Sequence, residues 1–207
     1  MIIILDDTFD QRQKYHDVSY LSEEKYKDIC TVHEYPTLLV FKNIIQELDN
    51  AQFICNHRSL RLFNREKNVI DGKEAIKNLF NQIDTKSILR LEFGRDMHSN
   101  FDAKTLDKDL FYTNLKPFLD NYLATKEIEL KILFYGINYK ELERMTQIDL
   151  FLNKINLVEI KDFKNNKAIL DGVKLVFPNE NPHNIIDNWI DRNLSKKQIR
   201  DLINTQI

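Results

Sequence analysis

The sequence predicts an α/β protein with an open, mostly parallel five-stranded sheet and helices on both faces of that sheet. Short apolar runs rich in β-branched residues recur along the chain, as in strands that are buried on both faces. Amphipathic segments with helical spacing separate these runs. Only four glycines and four prolines occur in 207 residues. The elements are therefore expected to follow one another with few long loops.

Five segments are predicted as strands of this sheet. Residues 2–5 form the continuous apolar run Ile-Ile-Ile-Leu, which is typical of a central parallel strand. The other four are short apolar runs or alternate apolar with polar side chains, and they are bounded by turn-forming residues. These four segments are residues 29–33, 51–55, 87–93 and 128–135.

Amphipathic helices are predicted between and after the strands. Thr37 is a suitable N-cap for the first long one, since its side chain can accept a hydrogen bond from the first turn. Apolar residues recur every three or four positions in each segment. The predicted helices cover residues 37–48, 72–83, 102–123 and 138–154.

The last fifty residues depart from this alternation. Residues 157–163 and 173–177 are predicted as two strands of a hairpin, because Asn, Asp and Gly lie between them. Two helices are expected to follow, beginning near Pro182 and Ser195. We therefore expect an α/β domain over residues 1–155 and a small α+β extension, packed on it, over residues 156–207.

Composition narrows the class of protein. The formal net charge of -2, from 30 basic and 32 acidic residues, gives no global electrostatic case for nucleic acid. Cys30 and Cys55 are flanked by apolar residues, which favours buried reduced thiols and a cytoplasmic setting. No segment approaches the roughly 18 apolar residues of a membrane span, so neither export nor insertion is expected.

An acidic pair follows the first predicted strand. Asp6 and Asp7 are expected at the carboxyl edge of the sheet, where open α/β sheets bind ligands. Their carboxylates, together with the amide of Asn56, have the oxygen ligands that Mg²⁺ prefers. The alternative is that the pair caps a loop or starts a turn.

Polar and basic residues leave the third predicted strand, which lies beside the first. Arginine can hold phosphate through a bidentate fork, so a nucleotide or a phosphorylated partner is a candidate ligand. No glycine-rich phosphate loop accompanies the segment. The alternative is an internal ion-pair cluster or a solvated face. The candidate ligand-binding residues are Asn56, His57, Arg58, Arg61 and Arg65.

No catalytic residue is predicted. His57 and Ser59, with His98 and Ser99, contain the residue types of nucleophilic catalysis, but their spacing matches neither a nucleophile elbow nor an ordered triad.

With its acidic pair in Ile4-Leu5-Asp6-Asp7, the stretch from residue 1 to about 155 resembles a receiver domain, the flavodoxin-like module of bacterial response regulators. The resemblance implies that the acidic pair helps to hold magnesium and that the third strand ends in a phospho-accepting aspartate. Asn56 stands at or beside that position. Because an amide is a poor nucleophile, ordinary phosphorylation is not expected.

Two other positions depart from the receiver pattern. Gly94 and Gly136 stand where that family has Ser or Thr after the fourth strand and Lys after the fifth, while Ser99 and Lys140 lie farther on.

The segment from Leu5 to Phe9 is also similar to the first motif of haloacid-dehalogenase-type phosphatases. With Asp6 aligned to the general acid/base of that motif, Ile4 takes the place of the nucleophile. Isoleucine cannot form an aspartyl phosphate, so an active phosphatase of this family is not expected.

These features together predict a bacterial, cytoplasmic, receiver-like signalling protein. We expect a regulatory or adaptor role through protein-protein interaction, without efficient phosphotransfer. The alternative is an enzyme or sensor for phosphate-containing or nucleotide ligands, which would use Mg²⁺ at Asp6 and Asp7 together with the segment from Arg58 to Arg65. The non-enzymatic role is favoured, because Asn56 replaces the acceptor.

Overall fold

The computed structural model of the protein describes residues 1–95 and 105–207. The strands in this part of the chain are short. They are β1 (Ile2–Leu5), β2 (Cys30–His33), β3 (Phe53–His57), β4 (Leu62–Phe63), β5 (Val69–Ile70), β6 (Leu89–Gly94) and β7 (Thr105–Asp107).

Five of these strands form one parallel sheet in the order β2-β1-β3-β6-β7. Numbered within the sheet, this is the flavodoxin-like order 2-1-3-4-5. The predicted open, parallel, five-stranded architecture is therefore confirmed. β1 is an interior strand, since Ile4 lies between Val32 of β2 and Cys55 of β3. β4 and β5 form a separate antiparallel hairpin.

The helices account for most of the remaining chain. Short 3₁₀ turns occur at Ser19–Ser22, Leu48–Asn50 and Ile160–Asn165. The α-helices are α1 (Phe9–Arg12), α2 (Glu24–Lys27), α3 (Leu38–Glu47), α4 (Lys73–Thr85), α5 (Lys108–Thr125), α6 (Leu130–Tyr135), α7 (Tyr139–Leu157), α8 (Lys167–Val176), α9 (Pro182–Asp191) and α10 (Lys196–Asn204).

Helices cover both faces of the sheet, as predicted. Alternate residues of a strand point to opposite faces, so Ile3 and Ile54 share one face, where they pack with residues of α3 and α4. Phe53 lies on the other face, against Phe118 of α5 at 5.6 Å between ring centroids. The apolar pattern of each strand thus places β1 and β3 between two helical layers.

The prediction of a fifth strand over residues 128–135 is wrong, because this segment contains helix α6. A short apolar run fits a buried helix as well as a strand, so its periodicity does not distinguish them. The helix packs beside α5, where the side-chain amide of Asn114 donates to the backbone oxygen of Leu133 at 3.0 Å. It ends at Gly136, which has a positive φ of 82°. The fifth strand of the sheet is instead β7.

The described residues form two compact units, 1–137 and 138–207. The sequence places the boundary after residue 155, whereas in the structure α7 belongs to the C-terminal unit. That unit has its own apolar core, which includes Phe151, Ile169, Val173 and Trp189. All secondary-structure elements of this unit are helices.

The predicted hairpin of the C-terminal extension is therefore wrong, and so is its α+β character. Ile169, Val173 and Val176 recur at helical spacing and are buried along one side of α8. Gly172 lies against the ring of Phe151, in a space where a side chain would collide with that ring. The glycine that suggested a turn instead allows α7 and α8 to pack closely.

Cys30 and Cys55 are free and buried, as predicted. Among the described helices, none combines the length and apolar character needed to cross a membrane.

Candidate functional site

The acidic pair lies at the carboxyl edge of the sheet, immediately after β1. The side chains of Asp6 and Asp7 have no solvent-exposed area. Buried carboxylates lose favourable hydration, so each requires hydrogen bonds or opposite charges from the protein. The structure provides such partners for both residues, and they come from different elements.

Asp6 is held by donors from the first turn after β1 and from α5. Its Oδ1 accepts hydrogen bonds from the backbone N–H of Thr8 at 2.8 Å and from the Thr8 hydroxyl at 2.7 Å. Its Oδ2 accepts from the Tyr112 hydroxyl at 2.6 Å, and Arg12 Nε lies 3.6 Å away. Asp6 therefore starts a turn, which is one of the two interpretations given for the acidic pair from the sequence.

Asp7 is held from the neighbouring strand and its outgoing loop. His57 Nδ1 lies 2.7 Å from Oδ1 of Asp7, and Arg61 Nε donates to Oδ2 at 2.5 Å. Burial raises the pKa of Asp7, but the hydrogen bonds and charges of His57 and Arg61 outweigh it, so the pKa lies below its usual value. Asp7 is thus an ionised carboxylate with a partner at each oxygen.

Tyr112 belongs to the site although the sequence analysis did not single it out. It lies on α5, is almost fully buried, and joins that helix to the carboxyl edge through Asp6. Burial and the nearby Asp6 charge raise the pKa of Tyr112 well above its usual value, so its hydroxyl remains a hydrogen-bond donor. Arg12 and Thr8 were also missed; Arg12 Nη2 donates to the Thr8 hydroxyl at 2.8 Å.

Asn56, which the receiver resemblance places at or beside the phospho-acceptor position, lies in β3. It is buried, in register with Leu5, and its Nδ2 donates to the backbone oxygen of His57 at 3.2 Å. Its Oδ1 has no hydrogen-bond partner within the described chain. Because Asn56 pairs with Leu5, its side chain lies on the face that carries α3 and α4, whereas Asp6 contacts α5 on the other face.

Arg61 of the predicted basic segment contacts the acidic pair. Arg61, whose side chain is 50% exposed, connects the unexposed Asp7 carboxylate to the surface. Arg58 and Arg65 are exposed, in the loop after β3 and in the β4–β5 turn. His98 and Ser99 lie outside the described residues. The Asp7 carboxylate and the Arg61 guanidinium group thus contact each other.

The cluster has the residue types of a metal centre, but its donor atoms are already engaged. One ligand atom each from Asp6, Asp7 and His57 lies within 4.8 Å of the others. A cation bound there would have to compete with Arg61 for Asp7 and with Thr8 or Tyr112 for Asp6. The arrangement described here is therefore a closed ion-pair and hydrogen-bond network rather than a prepared ligand shell.

Fold and site together define a flavodoxin-like α/β domain with an internally neutralised acidic pair at the carboxyl edge of its sheet. No protein-family model matches the chain, and neither does a curated protein or a solved structure. Any function must consequently be inferred from the geometry of the site and of the surrounding surface.

Proposed function

We propose that the chain is a receiver-like regulatory or adaptor protein, which acts by binding a partner protein and does not carry out efficient phosphotransfer. One observation carries this proposal: both oxygens of Asp7 are occupied by His57 and Arg61. In a phospho-accepting site the carboxylates must be available to Mg²⁺ and to the incoming phosphoryl group. Here the guanidinium group of Arg61 is bound to Asp7 instead.

Asn56 supports the same conclusion. Its amide is neutral and weakly nucleophilic, so it cannot form the acyl phosphate that an aspartate forms. Arg61 and His57 then serve to stabilise the fold by compensating a buried charge. A protein of this kind acts through its surface, by presenting backbone or side-chain groups to another protein.

The phosphotransfer half of the proposal is tested with Mg²⁺ and beryllofluoride, a mimic of the phosphoryl group. We expect their joint addition to leave the melting temperature of the wild type unchanged, since a ligand stabilises a protein only when it binds the folded state. The comparison protein is the Asp7→Asn variant, which removes the charge of Asp7 and keeps Asp6. A stabilisation that occurs in the wild type and disappears in this variant would refute the proposal.

The partner-binding half is tested by capture of the tagged full chain in the cells that produce it. We expect a protein recovered at equal stoichiometry both by the wild type and by the Arg61→Ala variant, because Arg61 is assigned a structural role. Repeated absence of any stoichiometric partner would count against an adaptor.

A second candidate function is a Mg²⁺-dependent enzyme or sensor for phosphate-containing ligands. The observation that favours it is the close approach of ligand atoms from Asp6, Asp7 and His57. Binding would require Arg61 to leave Asp7, after which its guanidinium could contact phosphate. Under this candidate, Mg²⁺ with a phosphoryl mimic stabilises the wild type, and the Arg61→Ala variant binds Mg²⁺ alone more tightly than the wild type does.

A further inference from the structure

The outer edge of β2 is an unpaired margin of the parallel sheet. β2 is the terminal strand and pairs only with β1 within the described chain. Ile2 N–H donates to the oxygen of Ile29 at 2.7 Å, and Asp6 N–H donates to that of His33 at 3.2 Å. In a parallel pair of strands, every second residue forms the backbone hydrogen bonds to the neighbouring strand. The backbone groups of residues 29, 31 and 33 therefore face β1. The backbone groups of Cys30 and Val32 therefore point away from the sheet.

A cavity of about 610 Å³ lies along this edge. Apolar side chains of Phe9, Val18 and Leu21 line it, together with those of Cys30 and Val32. Burial raises the pKa of the Cys30 thiol to about 12, so this residue remains neutral. The volume is within the range of about 300 to 1,000 Å³ that is common for ligand sites.

The cavity reaches the main chain of β2 as well as its side chains. Thr31 also lines the cavity, although its register with Ile3 places its side chain on the opposite face, toward α3. Its contribution is therefore made by backbone atoms. A molecule in this cavity lies beside the unpaired edge and can use both apolar contacts and main-chain hydrogen bonds.

β2 itself carries none of the side chains that usually block strand addition. β2 contains neither proline nor lysine, and Thr31, Val32 and His33 are half-buried, whereas every residue of β1 is buried. Free strand edges pair readily with extended peptides unless such features block them. The unpaired groups of Cys30 and Val32 are best satisfied by the backbone of an extended chain.

We propose that the outer edge of β2 binds an extended peptide segment of the partner protein as an added strand. Every second side chain of that segment enters the cavity, and the side chains that contact Phe9, Val18 and Val32 are apolar. The proposal rests on the adaptor function and identifies the surface through which that function operates.

A second copy of this chain fits the edge less well than a peptide does. Residues of the segment 13–22 form one wall of the cavity beside β2. Two copies meeting edge to edge would bring both walls into the same space, whereas a single extended segment needs only the width of one strand. Asp17 and Lys27 line the cavity with opposite charges, so the lining gives no strong preference for a charged peptide.

The test begins with a displayed library of random peptides of roughly nine residues, a length that spans a typical strand, selected on the full chain. The enriched peptide is synthesised with blocked termini, and its affinity is measured by fluorescence anisotropy without any phosphoryl donor. N-methylation of alternate peptide amides on one edge is expected to weaken binding at least about tenfold. Methylation on the other edge is expected to change binding less than about twofold.

Two protein variants complete the test. Val32→Pro removes an outward N–H and keeps the bonds to β1, and Leu21→Glu places a charge in the cavity wall; each is expected to weaken binding about tenfold or more. The matched control is Leu142→Glu, which changes an exposed leucine in the C-terminal unit. Failure to enrich any peptide, or equal affinity in all three variants, would overturn the proposal.

Two further outcomes can be told apart from a failure of peptide binding. A wild-type dimer that Val32→Pro converts to a monomer would make a second copy the occupant, which would also overturn the proposal. A response to Mg²⁺ and beryllofluoride would refute the function proposed above and leave the peptide measurement intact, because that measurement contains neither reagent.

Discussion

The carboxyl edge of the sheet and the outer edge of β2 differ in how their polar groups are satisfied. At the carboxyl edge, Asp6 and Asp7 are unexposed, and each carboxylate oxygen has a partner from the same chain. At the outer edge of β2, the backbone groups of Cys30 and Val32 face a cavity instead of a neighbouring strand. A cluster of charged residues whose carboxylates already have partners is therefore not by itself a binding site.

The largest loss of stability is expected for a substitution that removes Asp6 from the closed network. Asp6→Ala leaves Arg12 buried without its carboxylate, and the loss of one member of a buried ion pair costs about 3–5 kcal/mol of unfolding free energy. Urea denaturation measures this cost. The control, Asp84→Ala, changes an exposed aspartate of α4 and should remain within about 0.5 kcal/mol of the wild type. Equal stabilities of the two variants would show that Asp6 is not a structural charge.

Two adjacent proline substitutions test the open edge. Thr31→Pro removes an N–H that faces β1, and we expect a loss of about 2–3 kcal/mol. Val32→Pro removes an N–H that faces the cavity, and we expect a loss below about 1 kcal/mol. Thermal unfolding of both variants measures the difference. If Val32→Pro is as harmful as Thr31→Pro, then the outer edge of β2 is paired rather than open.

Removal of one neutral donor should have an intermediate effect. Tyr112→Phe deletes the hydroxyl that donates to Asp6, and a hydrogen bond to a buried charged group contributes about 1.5–3 kcal/mol. Tyr15→Phe is the control, because Tyr15 is 78% exposed. Chemical denaturation of the two variants gives the comparison, and equal midpoints would remove Tyr112 from the network.

The smallest expected effect is a pH dependence that originates at Asp7. Its pKa is lower in the folded protein than in the unfolded chain, so its contribution is complete above the unfolded pKa of about 4 and is lost as pH falls through the folded pKa. Because Arg61 is half-exposed, we expect on the order of 1 kcal/mol. Stability measured from pH 6 to pH 3 should fall less steeply for Asp7→Asn than for the wild type. Parallel curves would contradict this assignment.

Four of the five sheet strands could be predicted from their apolar patterns, whereas β7 lies inside the segment predicted as a helix over residues 102–123. Ile2 to Leu5 are apolar without interruption, and burial on both faces of a parallel sheet requires that pattern. Residues 128–135 and 173–177 were misassigned, because short apolar runs beside Gly or Asn fit helices equally well. Their conformation is decided by packing: α6 against α5, and α8 against Phe151.

The candidate site was only partly predictable. Asp6 and Asp7 follow β1, and Asn56 and His57 end the adjacent strand β3. Parallel topology brings such positions to one edge. Thr8 could have been found from its position two residues after Asp6, which is typical of a turn closed by an aspartate side chain. Tyr112 lies more than one hundred positions away on α5, and nothing local distinguishes its hydroxyl from that of another core tyrosine.

Residue-resolved amide hydrogen exchange tests the contrast between the closed site and the open edge most directly. We predict strong protection of Thr8, whose N–H is bonded to Asp6, and of Thr31 and His33, which face β1. Val32, between them, should exchange at least about a hundredfold faster than its two neighbours. Uniform protection along Thr31, Val32 and His33, or rapid exchange of Thr8, would contradict the account.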